Sequence, residues 1–237
     1  MKKKKHNKKK NKKSIKLKII FLAILAVILI IVAILTSPVN NEERYYTGNL
    51  HTHTYASDGK MSYEEIINES LNLGFDFIAI TDHNTIGKEV KEKCPQEKRI
   101  LCIMGEEIST TKGHMLAIGI KEAVPKGLSP EETISKIHSQ NGLAIPAHPE
   151  RKTIGLKIEE IKNLDIDAVE CHVNDKGEYN FSCDLLNLPK VYNSDAHNKE
   201  QLKILANICI IKNLNLESLK EAIKENKCSQ LRVKSQK

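Results

Sequence analysis

From residue 48 onward, short apolar runs alternate with amphipathic stretches of helical period, and this alternation admits few folds. The runs at 48–53, 77–81, 99–104, 114–120, 143–146, 168–173 and 190–193 read as seven strands, with an eighth at 208–212. Helices are expected at 62–73, 129–140, 158–164 and 216–225. Ser62 with Glu65 three residues on forms a capping box, and Gly74 offers a stop. Ser129 followed by Pro130 places a cap residue before a proline at the first helical position. Strands that alternate with helices build parallel β/α units. The expected fold is therefore α/β, a distorted (β/α)7 TIM-like barrel. With about 190 residues available after the N-terminal segment, it is trimmed relative to a full eightfold barrel of roughly 250.

The metal-type side chains fall almost entirely at carboxyl ends of these strands, the face on which β/α barrels build their sites. His51 and His53 stand at i and i+2 on the first strand, so both point to one face. Asp58 follows in the next loop, Asp82-His83 ends the second strand, and Glu106-Glu107 ends the third. His114 begins the fourth, His148 ends the fifth, and Asp195 with His197 ends the seventh. Imidazole suits Zn²⁺, Fe²⁺ and Mn²⁺, while carboxylates can bridge two cations. Six histidines and three carboxylates are too many ligands for one tetrahedral ion, and two or three divalent ions (Mn, Fe or Zn) fit better. Clustered ions can activate a hydroxide and clamp phosphoryl oxygens during in-line displacement.

The order His-Thr-His-Thr-x-x-Ser-Asp-Gly, Ile-Thr-Asp-His-Asn-Thr, Gly-x-Glu-Ile-Ser, Gly-His, Ala-His-Pro and Ser-Asp-Ala-His resembles the successive motifs of the PHP (polymerase and histidinol phosphatase) family. The spacing is similar to that of its small stand-alone metal-dependent phosphoesterases. The resemblance implies one metal held by His51, His53, Glu107 and Asp195. It implies a second on Glu107, His114 and His148, and a third on Asp58, His83 and His197. The implied activity is hydrolysis of phosphate esters, those of nucleotides or short nucleic acids foremost, by a metal-activated hydroxide. Asp58, His83, His197 and Arg151 would lie closest to the chemistry, Arg151 offering its planar fork to a substrate phosphate. The implied substrate partner is a phosphorylated small molecule or a short nucleic acid. Alternatives are a protein-tyrosine phosphatase, an amidohydrolase-like hydrolase, which also opens on His-x-His, and a metal-binding module without catalysis.

Ahead of this domain lie two further segments and a linker. Residues 1–18 hold eleven lysines and no acidic residue. The whole chain carries +7, so the remaining 219 residues carry about −4, which argues against a broad nucleic-acid-binding face. Residues 19–35 are seventeen apolar residues without charge or proline. Together with Thr36 and Ser37 they nearly match the roughly 30 Å core of a bilayer at 1.5 Å per residue. One transmembrane helix is expected over 19–37. The lysines would hold the N-terminus in the cytoplasm and place the catalytic domain outside the cell membrane. Residues 38–46 read as a linker and 47–237 as the domain.

Six cysteines follow the anchor, an even number that an outward-facing domain could pair as disulfides. Cys102, Cys171 and Cys209 fall in apolar runs where a buried free thiol is the plainer expectation, and the redox state stays open. Asp82 is expected to support its neighbouring ligand rather than bind metal, and His138 to pack on a helix. One of Glu170 and His172 is expected to face the other metal residues.

Overall fold

A computed structural model describes residues 21–32, 42–172 and 181–232. Residues 21–32 are helical (α1), with every side chain exposed. Among the described residues no helix is long and apolar enough to cross a membrane. The remainder of the expected anchor over 19–37 lies outside them, as does the lysine tail.

The second unit begins at Glu43. Its core is a seven-stranded sheet in the order β5-β4-β3-β2-β1-β8-β9. These strands are β1 (Arg44–Asn49), β2 (Phe77–Ile80), β3 (Leu101–Ser109), β4 (His114–Ile118), β5 (Leu143–Pro146), β8 (Ala206–Ile211) and β9 (Cys228–Leu231). A second, two-stranded sheet pairs β6 (Val169–Cys171) with β7 (Lys190–Tyr192). The longer helices are α2 (Tyr63–Asn72), α4 (Pro130–His138) and α7 (Leu216–Lys224). Shorter ones are α3 (Lys88–Lys93), α5 (Ile158–Ile161) and α6 (Lys199–Leu202). The expected box caps α2 and the expected cap residue opens α4, where a box forms as well: Ser62 accepts from Glu65 N and Ser129 from Glu132 N, with both glutamates reaching back to the cap. Phe77-Ile-Ala-Ile80 is buried throughout, as befits a parallel strand covered on both faces.

The architecture is α/β with a curled sheet, but the regular (β/α)7 alternation needs correction. Only β1, β2 and β3 run parallel within the large sheet. β3–β4, β4–β5, β1–β8 and β8–β9 are antiparallel. No helix separates β3 from β4. A tight turn joins them, in which Thr110 Oγ1 accepts from Lys112 N and Gly113 N. Residues 105–109, with two adjacent glutamates, read as the end of a strand, yet they continue β3 because Glu106 and Glu107 are both fully buried. Arg44–Tyr46, expected in the linker, belong to β1, and α3 and β9 were not anticipated.

The small sheet is tied to the large one by side chains that stand in for backbone. On one side Ala144 N donates to Asp167 Oδ2 (2.8 Å) and Asp167 N to Ala144 O (3.0 Å). On the other, Asn207 of β8 accepts from Tyr192 N (2.7 Å) and donates to Tyr192 O (2.9 Å), the pattern of a strand partner.

The expectation of buried free thiols is also corrected. All six cysteines pair, as Cys94–Cys102, Cys171–Cys183 and Cys209–Cys228. Cys209 and Cys228 are direct cross-strand neighbours in the β8–β9 ladder. Apolar surroundings report burial, but only the folded register brings two such thiols face to face.

Strand pleat sends Glu106 and Glu107 to opposite faces. Glu106 Oε2 accepts from Val124 N (2.7 Å), while Oε1 is buried without a hydrogen-bond partner. Burial pushes this carboxyl up to about 7. Unfolded, it ionises near 4.5, so its contribution to stability is intact below that pH and is lost as pH rises through about 7. Glu106→Gln is therefore expected to raise the melting temperature above pH 7, by on the order of 1–3 kcal/mol of stability, and to change it little near pH 4. Parallel melting curves of variant and wild type across this range would contradict the assignment.

Candidate metal centre

Four of the site segments are brought together in two pairs by isolated parallel bridges. Thr52 bridges Ala196, with His53 N donating to Ala196 O (2.9 Å) and Ala196 N to His51 O (3.2 Å). The His-Thr-His and Asp-Ala-His segments thus lie side by side. His83 bridges Glu107 in the same way, so the segment just after β2 is aligned near the carboxyl end of β3. Gly59 is required here: a Cβ would lie 2.2 Å from His53 O, and its absence lets the Asp58 loop fold against His53. Asp82 anchors that loop by accepting from Thr54 N (2.7 Å), Thr54 Oγ1 (2.7 Å) and Ser57 Oγ (2.8 Å). It supports the site from behind, as expected.

Glu107 is the hub. Its Oε2 lies 3.1 Å from His51 Nε2, 3.2 Å from His53 Nε2 and 3.2 Å from His83 Nδ1. Its Oε1 lies 2.8 Å from both His114 Nδ1 and His148 Nε2. Asp195 Oδ1 faces His51 and His53, at 3.2 Å from each Nε2. Asp58 sits at the mouth, 3.2 Å from His197 Nε2 and 3.6 Å from His83 Nε2. The structure therefore gathers all nine side chains singled out in the sequence around one point. Three overlapping groups have donor atoms within 4.8 Å of one another: His51, His53, Glu107 and Asp195; His53, Asp58, His83 and His197; and His83, Glu107 and His114. His148 reaches the third through Glu107.

The donor chemistry suits divalent cations. His51 Nε2, His53 Nδ1, Glu107 Oε2 and His148 Nδ1 are buried with no hydrogen-bond partner, which is costly unless something else satisfies them. The polarity of the cluster points the same way. Burial would lower His51, but the Glu170, Glu107 and Asp195 carboxylates outweigh it and raise it well above the imidazole range. Burial likewise opposes protonation of His53, yet the hydrogen bond to Asp195 and the Glu107 carboxylate beside it raise it to about 9. Burial would raise Glu107 and Asp195, and in both cases the histidines around them hold the carboxyl well below its usual range. The cluster thus carries positive charge where ions would sit, and cation binding there displaces protons.

Two of the gathered residues adopt left-handed backbone, His148 at φ 31° and Asp195 at φ 51°. Non-glycine residues at such angles cost about 1–3 kcal/mol each and persist where the surroundings over-determine them. Arg151 lies beside Asp195, its Nη1 2.7 Å from Oδ2, and its side chain is 38% exposed. Tyr55 is exposed on the rim loop. Asn84 is occupied structurally, its amide donating to Ser109 Oγ and its carbonyl accepting from Ser109 N. His138 is held by Asp167 at 2.9 Å, away from the site.

Glu170 and His172 both turn inward, correcting the expectation of one: residues i and i+2 of an extended segment share a face. Both are buried. Glu170 Oε1 lies 2.9 Å from His51 Nδ1, and the His172 ring lies 6.1 Å from that of His148. Desolvation pushes His172 down to about 4, so it is neutral at physiological pH.

The model of the PHP domain family matches residues 49–206, which include all nine residues. An uncharacterised protein of Methanocaldococcus jannaschii is 41% identical over 134 residues, covering 51% of this chain and 78% of that protein. Among solved structures, a two-domain protein of Bacteroides vulgatus containing a predicted PHP-like metal-dependent phosphoesterase superposes with a TM-score of 0.68 at 17% identity. It covers 83% of this chain and 67% of its own. The lesion-specific endonuclease Q of Pyrococcus furiosus superposes with a TM-score of 0.62 at 18% identity, covering 77% of this chain and 56% of its own. At these identities the two structures share the fold.

Proposed function

Because the chain belongs to the PHP domain family, we propose that it is a metal-dependent phosphoesterase whose ions are held by the nine gathered residues. The observation that carries this reading is Glu107, a buried carboxylate whose two oxygens face five histidine nitrogens. His51, His53, Glu107 and Asp195 would hold one ion, Glu107 with His114 and His148 a second, and Asp58, His83 and His197 a third. Bound divalent ions, Mn, Fe or Zn, supply Lewis-acid activation of water and of phosphoryl oxygens. The protein's own part is to hold these donors in place and keep the inner ones dry. His51, His53, Glu107 and His148 are buried, while Asp58, His83 and His197 are partly exposed and define the side from which substrate enters.

Nucleotide or short nucleic-acid phosphates are the substrate class this reading favours, in line with endonuclease Q among the structures of similar fold. A protein anchored through residues 19–37 with its catalytic domain outside is the arrangement proposed from the apolar run and the lysine tail. The three disulfides support it, since such bonds persist in oxidising compartments. The test is phosphate release by the full chain in detergent, stripped of metal and reloaded with Mn²⁺, Fe²⁺ or Zn²⁺. Mononucleotides, oligonucleotides and phosphotyrosine peptides would be offered side by side. Absence of turnover on every phosphoester with every ion would end the proposal.

We infer that Arg151 would receive a non-bridging phosphate oxygen, a reading supported by Asp195, which holds its guanidinium beside the residues that would bind the ions. Arg151→Ala is expected to lower kcat/KM by about 10²-fold, the loss typical of one charged donor to a developing anion. Arg151→Lys, which keeps charge but not the planar fork, should recover only part of it. Equal kcat/KM in all three proteins would remove Arg151 from the site.

A further inference from the structure

We propose that Glu170 is a positioning residue that fixes the metal-facing nitrogen of His51 and the backbone of His148 together, and so couples two of the three ion sites. The inference rests on the metal reading above and concerns a residue outside the nine. Glu170 lies on β6, in the small sheet, and is fully buried. Three donors converge on it. His51 Nδ1 is 2.9 Å from Oε1, Asn193 Nδ2 is 2.9 Å from Oε1, and His148 N donates to Oε2 at 2.6 Å.

A carboxylate can only accept, so the His51 proton must sit on Nδ1. When the ring gives up its second proton to take a cation, Nε2, the atom 3.1 Å from Glu107 Oε2 and 3.2 Å from Asp195 Oδ1, is therefore the nitrogen that supplies the lone pair. The same carboxylate grips the backbone of His148 at the residue that occupies a left-handed conformation, and so helps keep its Nε2 on Glu107. The support extends further back. Asn193 Oδ1 accepts from Leu50 N (2.9 Å) and from Asn207 Nδ2 (2.9 Å). Asn207 is the side chain that joins β7 to β8. A continuous buried chain, Asn207–Asn193–Glu170–His51, thus runs from the seam between the sheets to a ligand nitrogen. Partners of this kind orient a ligating histidine and raise its basicity.

Glutamine at 170 discriminates the role sharply. It fills the same volume, but one oxygen becomes an amide donor. If the amide replaces Oε2 it faces the His148 N–H. If it replaces Oε1 it faces the Asn193 amide and the His51 Nδ1 proton. In either orientation a donor meets a donor, and His51 can relieve the second clash only by moving its proton to Nε2, where a cation must bind.

The experiment is calorimetric titration of Zn²⁺ into metal-stripped wild type and Glu170→Gln, with thermal melts of both. The expected result is a folded variant whose affinity falls about 10–100-fold at two sites, while the Asp58, His83 and His197 site keeps wild-type affinity. A variant that binds Zn²⁺ as the wild type does overturns the proposal. So does a uniform loss at all sites with a collapsed melting temperature, which marks a merely structural residue. Should the variant not fold, ¹⁵N NMR of the Zn²⁺-loaded wild type decides: a proton on His51 Nδ1 that exchanges slowly supports the role, and its absence overturns it. A wild type that binds no Zn²⁺ removes the metal reading itself, whereas equal binding by wild type and variant removes only the role of Glu170.

Discussion

Replacing His51 and His53 together by alanine is expected to abolish phosphate release, by about 10⁴-fold or more, and to remove at least one ion per chain. Their two Nε2 atoms are the imidazole donors aimed jointly at Glu107 Oε2 and Asp195 Oδ1. Without them the innermost group keeps two carboxylates and no nitrogen. Lewis-acid stabilisation by a bound ion is worth several kcal/mol, and each 1.4 kcal/mol is a factor of ten in rate. The double variant also loses the two imidazoles that the surrounding carboxylates hold protonated. Glu107, Glu170 and Asp195 are then left close together in a buried site. Unpaired buried charge costs about 3–5 kcal/mol, so a lower melting temperature is expected as well. Metal content, phosphate release and the melt are measured on one preparation. Turnover retained by a folded double variant would place the chemistry elsewhere in the molecule.

That these two histidines could be chosen from sequence says something about which information a chain displays. The His-x-His spacing, Asp58 before Gly59, and the Asp-x-His near the end are local patterns, although the first and last meet only through the bridge between Thr52 and Ala196, far apart in the chain. The helix caps at Ser62 and Ser129 were legible for the same reason, because a cap and its partner lie three residues apart. What could not be read depends on register between distant segments. For the adjacent and chemically identical Glu106 and Glu107, the motif resemblance points to the second, but the reason that one faces a core and the other the site lies in the extension of β3 to Ser109. The antiparallel turn at residues 110–113 looks, by composition, like any other loop between parallel strands. The partner of each cysteine is set by tertiary contact, as with Cys209 opposite Cys228 in the ladder. Glu170 carries no motif at all: it is marked by three donors from residues 22 to 119 positions away.

Glu107→Gln is the substitution that separates a shared carboxylate from a set of histidines that merely cluster. A carboxylate offers two equivalent anionic oxygens, and here each faces its own histidines: His51, His53 and His83 at Oε2, His114 and His148 at Oε1. Glutamine keeps the shape but has one acceptor and one donor, so it can serve one side and must repel cations on the other. Loss of the bridge is expected to lower kcat/KM by at least about 10³-fold, near 4 kcal/mol of transition-state stabilisation. Bound metal should fall to the ion held by Asp58, His83 and His197. The metal-free protein reports on the same residue through pH. Burial opposes the charge on Glu107, but His51 and the hydrogen bonds from His114 and His148 hold it well below 4.5. A depressed carboxyl adds stability that is present above its unfolded value and is lost as pH falls through its folded one. The metal-free wild type should therefore melt above Glu107→Gln at pH 7, and the gap should close in acid below about pH 4. A variant that keeps its full metal content, works within tenfold of wild type, and melts with it at pH 7 would show that Glu107 bridges nothing.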